Sequence, residues 1–460
     1  MSAKTESPRS RRGAGPIDAA EAARLSPPPC VSLAPPLQML RYRQRQIQFV
    51  FRARRELGEV FAMRTGDPAG QVMTGHPEDA RSLIAAKPEL APSTAGESPL
   101  RPILGPSSVL TAVGERHMRQ RKLLLPHFHG EAIERYTRAI ADATEREIDT
   151  WPLGRPFPLA PRMQAITLDV IMAGIFGVES RPRRGTAEHR VRETTRRMVD
   201  LTTRPLGQLA ELMNARSEEP VGLGRPLMRA LERPFDRLIE QRRRADDLEE
   251  RHDILSMLLR ARTEEGEELT REEVRAEVLA LILAGHETTA NSLAWAWERL
   301  LRNPGAHERL REAVRGADGE AAVEQTIVET MRSRPVVPLT GRRVKVPWRL
   351  GPYAVPAGTG VLISILLLHH REDLYPEPFE FRPERWVGRK PGTYEWLPFG
   401  GGVRRCLGAT LAMAEQRVVL ETMARRLDLA CADPAPEPAL HRNVTMTPRR
   451  GGVVVVRSRR

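Results

Sequence analysis

Residues 397–413, "LPFGGGVRRCLGATLAM", place a single cysteine between a glycine-rich loop and an apolar run. The glycines at 400–402 do not favour a helix, whereas the apolar run has helical period. Cys406 should therefore lie near a helix N-terminus, where the helix dipole lowers the pKa of a thiol. Arg404 and Arg405 add positive charge. This stretch predicts a special environment for one sulfur atom.

Three roles for Cys406 are compatible with the sequence of this stretch. They are a buried structural cysteine, a nucleophile, and a thiolate ligand of a metal or haem. A nucleophile needs a histidine base and an oxyanion hole, and no local pattern supplies them. A haem ligand would explain the glycines, which admit a large planar group, and the arginines, which pair with carboxylates.

The composition is that of an ordinary globular protein, with 40% hydrophobic and 28% charged residues among 460. Cys30, Cys406 and Cys431 are too few and too widely spaced for a disulfide framework or a zinc site, which indicates a reducing compartment. The net charge is +13. Because arginine alternates with glutamate and aromatic residues make up only 5%, we expect no nucleic-acid binding.

The predicted architecture is mainly α with minor β. Helical patterns dominate, and extended runs occur at 60–75, 351–364 and 451–458. Residues 1–34 are rich in Pro, Ser, Ala and Arg and are predicted to be a disordered lead-in to one domain over 35–460. No apolar run is long enough for a transmembrane anchor, and the N-terminal stretch lacks the apolar run of a signal peptide, so we expect a cytoplasmic protein.

A long helix is predicted over residues 271–302, with Thr270 and Glu273 as a capping box. Gly285 in its interior costs ~1 kcal/mol relative to alanine. Glu287 and Thr288 are polar residues within an apolar run. They either bend a buried helix or carry chemistry.

The segment "HETTA" within this helix begins like the helix of a zinc protease. That motif requires a second histidine four residues after the first, and residue 290 is alanine. A zinc-protease site is therefore excluded.

The cysteine loop resembles that of the cytochromes P450, which are haem-thiolate monooxygenases. The family's loop reads Phe-x-x-Gly-x-Arg-x-Cys-x-Gly, and this chain has Phe399, Gly402, Arg404, Cys406 and Gly408 at those positions. The resemblance implies haem b (iron-protoporphyrin IX) as cofactor, with the cysteine as the iron ligand. It extends from about residue 35 to the end.

The long helix also matches the family. Its pattern of Ala or Gly, Gly, any residue, Asp or Glu, and Thr corresponds to Ala284, Gly285, Glu287 and Thr288. The resemblance implies that the threonine holds dioxygen and a water beside the haem and that the acid feeds protons to them.

Two further matches concern structure and cofactor binding. In the family, the residues matching Glu329, Arg332 and Arg385 form a buried structural network. The residues matching His117 and Arg121 hold the haem propionates.

Another partner of the propionates is expected at Arg342, with the neighbouring Arg343 as the alternative.

We expect a hydrophobic substrate, such as a fatty acid, terpenoid, steroid or polyketide, that is hydroxylated or epoxidised with O2, as in secondary metabolism. Its predicted contacts are Ala280, Leu283, Val336, Val337 and Leu339. No reductase segment is visible, so a separate ferredoxin or flavodoxin with its reductase should supply electrons. The alternative is a haem protein that senses or carries a ligand, for which the acid–threonine pair would be unnecessary.

Overall fold

The computed structural model describes residues 13–64, 70–128, 130–178, 181–203, 224–262, 266–442 and 444–460. Helices make up most of the regular structure, as predicted. Their bounds are α1 Ala19–Ala22, α2 Pro35–Gln44, α3 Gln46–Leu57, α4 Pro77–Ile84, α5 Arg101–Leu104, α6 Gly114–Leu124, α7 Glu131–Ile148, α8 Ala160–Phe176, α9 Ala187–Thr203, α10 Gly224–Arg243, α11 Ile254–Arg260, α12 Arg271–Leu301, α13 Pro304–Ala313, α14 Gly319–Ser333, α15 Ile365–His369 and α16 Ala409–Arg426.

The strands are short and form small sheets. Their bounds are β1 Ala14–Pro16, β2 Val60–Met63, β3 Gln71–Thr74, β4 Phe157–Pro158, β5 Leu339–Arg343, β6 Trp348–Leu350, β7 Tyr353–Val355, β8 Gly360–Ser364, β9 Leu427–Cys431, β10 Ala439–Arg442, β11 Thr445–Pro448 and β12 Val453–Arg459. The sheet orders are β2-β3-β8-β5, β1-β6-β7, β4-β12-β9 and β10-β11. The β3–β8 pair is parallel, and the others are antiparallel.

The backbone divides into two compact units. The first comprises Met1–Thr94, Leu339–Leu374 and Gly392–Leu397, and holds the sheets that contain β1 and β2. The second comprises Ala95–Pro338, Tyr375–Pro391 and Pro398–Arg460, and holds α5–α14 and α16. Within the described ranges, no helix has both the length and the apolar character that crossing a membrane requires.

The prediction of a disordered lead-in over 1–34 is wrong for residues 13–34, whereas 1–12 lie outside the described residues. Strand β1 pairs with β6, and the N–H of Ile17 donates to the carbonyl of Pro347 at 3.0 Å. The N–H of Val31 donates to the carbonyl of Ala62 at 3.0 Å. Because these hydrogen bonds join the segment to residues far along the chain, its own composition could not reveal them.

The long helix α12 begins where its cap predicts. The Thr270 hydroxyl accepts from the N–H of Glu273, and the Glu273 carboxylate accepts from the N–H of Thr270. Most of its residues are buried, which is typical of a central helix. A Cβ on Gly285 would approach the side chain of Ile171 on α8 to 2.6 Å, so glycine lets these two helices pack closely.

Candidate haem site

The cysteine loop is a tight turn in front of α16. Gly400 and Gly402 have φ of 64° and 61°, a conformation that glycine adopts readily. The N–H of Cys406 donates to the carbonyl of Phe399 at 2.9 Å and closes the turn. Gly408 is the residue before the first turn of α16. The loop therefore presents the cysteine just ahead of a helix N-terminus, as the sequence predicts.

Cys406 keeps solvent-accessible surface, although protein atoms surround its sulfur closely enough for desolvation to raise the thiol pKa. The backbone N–H of Gly408 and the charges of Arg121 and Arg405 act in the opposite direction. The accessible surface belongs to the residue as a whole and leaves one side of Cys406 open to a bound group. The N–H and guanidinium groups stabilise the thiolate, which is the form that binds a metal.

Positively charged groups of α6 and the cysteine loop lie close together. Burial, together with the charges of Arg404 and Arg121, lowers the pKa of His117 to about 4. The imidazole is therefore neutral at pH 7 and can donate one N–H. Arg121 donates to the carbonyl of Arg405 at 2.6 Å, which joins α6 to the loop.

These donors fit iron-protoporphyrin IX. Cys406, an exposed residue, supplies a sulfur for the iron. His117, Arg121 and Arg404 supply N–H groups and positive charge for two propionates. Arg121 makes no ion pair with a carboxylate of the described chain, so acids from outside the protein would complete its interactions.

The middle of α12, where the acid–threonine motif lies, is partly accessible to solvent. Leu283, Ala284, Gly285, Glu287 and Thr288 keep accessible surface between buried stretches of the same helix. The Thr288 hydroxyl donates to the Ala284 carbonyl at 2.6 Å. Since the hydroxyl proton is used there, the oxygen lone pairs remain available to accept a hydrogen bond from water.

Glu287 is bound to the β10–β11 hairpin. Its Oε1 accepts from Nε of Arg442 at 2.8 Å, and the two side chains form a largely buried ion pair. The Thr445 hydroxyl donates to the same oxygen at 3.3 Å. Sequence reasoning missed this partner, because nothing in the local sequence distinguishes Arg442 from the many other basic residues.

The predicted substrate contacts differ in accessibility. Leu283, Val336 and Val337 are partly accessible. Ala280 has no accessible surface, so the structure gives it a packing position, and its substrate contact stays a prediction. Leu339 is half-buried on β5, in the first unit.

Arg342 also lies on β5 in the first unit. Its side chain is buried, donates to the Gly341 carbonyl at 3.0 Å, and has a pKa lowered by burial. The alternative, Arg343, donates to the carbonyl of Gly358 at 2.5 Å. The contact of Arg342 with a propionate stays a prediction.

The structure brings Glu329, Arg332 and Arg385 together without solvent access to the first two. Arg332 binds both carboxylate oxygens of Glu329 at 2.8 Å, and Arg385 lies 3.1 Å from one of them. The indole N–H of Trp386 donates to Glu329 at 3.0 Å. The buried carboxylate is thus fully hydrogen-bonded, as a stable buried ion pair requires.

Two buried acids were missed by sequence reasoning. Glu277 on α12 and Glu415 on α16 are almost inaccessible, and burial raises the pKa of each to about 8. The sequence does hold a signal for Glu277, which is an acid within an apolar run seven residues before Ala284. Seven residues are two helical turns, so both residues lie on one face.

The contribution of Glu415 to the free energy of unfolding should fall as the pH rises from about 5 to 8. Glu415 has its pKa raised to about 8 by burial, partly offset by the Thr289 hydroxyl, against an ordinary value of 4.5. The folded state therefore keeps a proton that the unfolded state loses, and the stabilisation disappears as the pH passes through 8. The loss for this group is at most about 5 kcal/mol. Denaturant unfolding at several pH values measures it.

The variant Glu415→Gln should flatten this pH dependence and be more stable than the unmodified protein at pH 8. Glu421→Gln on the same helix, whose acid forms an ion pair at the surface, is the control. An unchanged pH profile in Glu415→Gln would contradict the assignment.

Comparison with known proteins identifies the family. The family model "Cytochrome P450" matches residues 26–455. The chain is 39% identical over 379 residues to "Putative cytochrome P450 137" of Mycobacterium tuberculosis, covering 81% of this chain and 77% of that protein. It is 35% identical over 448 residues to "Putative cytochrome P450 138" of Mycobacterium bovis, covering 94% and 98%. The chain belongs to the cytochrome P450 family.

Solved structures show the same fold. One is "Retinoic acid bound cyanobacterial CYP120A1", with a TM-score of 0.77, 21% identity, and coverage of 94% of this chain and 100% of that one. Another is "Crystal structure of cytochrome P450DA heme domain", with a TM-score of 0.78, 21% identity, and coverage of 95% and 98%. Members of this family are haem-iron enzymes, and haem-thiolate monooxygenation is their general activity.

Proposed function

We propose that this chain is a monooxygenase that hydroxylates or epoxidises a hydrophobic small molecule, with residues 35–460 acting as one haem-thiolate domain. The observation that carries the proposal is the environment of Cys406, an exposed residue whose sulfur has the Gly408 N–H, Arg121 and Arg405 around it. When bound, the haem supplies dioxygen activation and oxygen insertion.

The residues around the haem hold it and set the state of the sulfur. Cys406 binds the iron as a thiolate, and the Gly408 N–H stabilises the negative charge on the sulfur. Phe399 fixes the loop through its carbonyl. His117, Arg121 and Arg404 hold the propionates. This arrangement gives a role to four of the five matching residues in the cysteine loop, and the fifth, Gly402, provides the backbone conformation of the turn.

On α12, Thr288 accepts a hydrogen bond from a water in the pocket, and Glu287 supplies that water with protons. The partial accessibility of both residues supports this route. The ion pair with Arg442 orients the Glu287 carboxylate, so Arg442 acts as a positioning residue.

Thr288→Ala tests the proposed function. Without the hydroxyl that orders the water, protons should arrive less reliably, and we expect about ten- to a hundredfold less product per NADH consumed. Peroxide should rise correspondingly. The measurement compares NADH, peroxide and product, using a surrogate ferredoxin system and a panel of apolar compounds.

Thr326→Ala on α14 is the matched control, because its hydroxyl makes the same bond to the carbonyl four residues back. Unchanged coupling in Thr288→Ala would reject the role of the hydroxyl. If no compound in the panel stimulated NADH use in the unmodified protein, ligand sensing without turnover would be favoured instead.

The proposed substrate class is hydrophobic, such as a fatty acid, terpenoid, steroid or polyketide. Leu283, Ala284, Val336 and Val337 are apolar and partly accessible, which supports an apolar pocket. Leu339 and Ala280 remain proposed contacts.

Electrons come, in this proposal, from a separate ferredoxin or flavodoxin that binds near the cysteine loop. Arg116, Lys122 and Arg405 are exposed in this region, and Val403 is an exposed apolar residue. Arg119 lies between Arg116 and Lys122 on α6, but it forms an ion pair with Glu273 at 2.9 Å. The exposed charges suit an acidic partner.

Reduction by an acidic ferredoxin should slow about three- to tenfold when the salt concentration rises from 50 to 500 mM. Salt screens the electrostatic attraction between the acidic partner and the exposed basic residues, so the two proteins associate more slowly. Stopped-flow absorbance measures the rate. Arg405→Gln should lower the low-salt rate, and Arg457→Gln, at an exposed position on β12, should not. A salt-independent rate would reject electrostatic steering.

A further inference from the structure

The segment between α5 and α6 forms a buried turn beside the haem site. Ser108, Val109, Thr111 and Ala112 have almost no accessible surface. The Ser108 and Thr111 hydroxyls lie 2.9 Å apart, and the N–H of Ala112 donates to the Ser108 carbonyl at 2.8 Å. The turn is therefore held by its own hydrogen bonds and can transmit a constraint from one side to the other.

One side of this turn is bound to the long helix. The N–H of Val109 donates to Oε1 of Glu277 at 2.8 Å. Glu277 is completely buried, and its Oε2 has no hydrogen-bond partner. Burial raises the pKa of Glu277 to about 8, so at neutral pH the side chain is an uncharged acid whose carbonyl oxygen accepts this bond.

The other side of the turn is bound to the cysteine loop. Arg404 donates through Nη1 to the Val109 carbonyl at 3.2 Å and through Nη2 to the Ala112 carbonyl. A guanidinium is planar, so two bonds on one edge fix the direction of its remaining N–H groups. The charge of Arg404 also reaches His117, a predicted propionate partner.

We propose that Glu277 is a positioning residue for haem binding: it fixes the turn at Val109, and the turn orients Arg404 toward a propionate. The inference rests on the proposed haem site. It gives a role to a buried acid that the proposed oxygen chemistry does not use. It also links α12 to the cysteine loop through one residue, Val109, whose N–H bonds to Glu277 and whose carbonyl bonds to Arg404.

The test compares the holoprotein with Glu277→Met and Glu277→Gln. Methionine has a similar volume and suits a buried site, but it cannot accept the Val109 bond, whereas the glutamine amide oxygen can. Haem transfer to excess apomyoglobin gives the release rate. The carbon monoxide difference spectrum gives the share of thiolate-ligated haem.

We expect Glu277→Met to release haem about five- to tenfold faster, as the loss of one buried hydrogen bond predicts, and to lose part of the thiolate-type band. Glu277→Gln should stay within about twofold of the unmodified protein. Glu272→Met, at an exposed position in the first turn of α12, is the control and should release haem at the normal rate.

The double variant tests whether Glu277 acts through Arg404. Glu277→Met combined with Arg404→Ala should release haem no faster than Arg404→Ala alone. The inference would be overturned if the two substitutions multiplied their effects on the haem release rate in the double variant, or if Glu277→Met released haem at the normal rate. Either result would leave the proposed haem site itself unchallenged. Absence of a thiolate-type band from the unmodified protein would overturn the proposed function itself.

Discussion

Cys406→Ser is expected to abolish the thiolate-type carbon monoxide band and the monooxygenase activity. Cys406 is an exposed residue, and a negative charge on its sulfur is stabilised by the Gly408 N–H, Arg121 and Arg405. A serine hydroxyl is far less acidic than a thiol and does not supply the same electron donation. Loss of a supporting residue costs metal sites ~10–100-fold, so loss of the ligand itself should exceed that range.

Haem content must be measured beside activity, because a variant without haem would also be inactive. The pyridine haemochrome assay gives that content. Cys30→Ser and Cys431→Ser are the matched controls, since both residues are exposed and neither lies in the glycine loop. A thiolate-type band that survives in Cys406→Ser would show that another sulfur binds the iron.

Arg332→Ala is expected to have the second largest effect, on folding. Its guanidinium binds both oxygens of Glu329 and also donates to the carbonyls of Pro378 and Glu380. Removing it leaves a buried carboxylate with fewer donors and two carbonyls without this partner. Breaking a buried ion pair in this way costs about 3–5 kcal/mol. We expect little soluble holoprotein and a much lower unfolding midpoint.

Glu324→Ala is the control for Arg332→Ala, because Glu324 lies on the same helix and pairs with Arg417 at the surface. An exposed pair contributes at most about 1 kcal/mol. Equal unfolding midpoints for the two variants would contradict the structural role of the buried network.

Much of the site could be predicted because its residues are close in sequence. The glycine loop fixes the position of Cys406, and Thr270 with Glu273 fixes the start of α12. In both cases the spacing of a few neighbouring residues determines the local structure. The glycines give the loop its backbone freedom, and the Thr–x–x–Glu spacing forms the helix cap. The group around Glu329 was reached through the family resemblance, since a Glu–Arg pair one turn apart is common on exposed helices.

The parts of the fold and site that the sequence did not predict depend on contacts between residues far apart in the chain. Arg442 meets Glu287 across 155 positions, and Val109 meets Glu277 across 168. Nothing local distinguishes Arg442, because 72 lysines and arginines compete for that role. Residues 13–34 were predicted to be disordered for the same reason, since their hydrogen-bond partners lie elsewhere in the chain.

The central claim is that Cys406 binds haem iron as a thiolate. The most direct test is the carbon monoxide difference spectrum of the purified, dithionite-reduced protein. The structure predicts a strongly red-shifted Soret band, and the same protein carrying Cys406→Ser should lack it. A Soret band at the position of a neutral axial ligand, or no haem at all in a folded protein, would contradict the account.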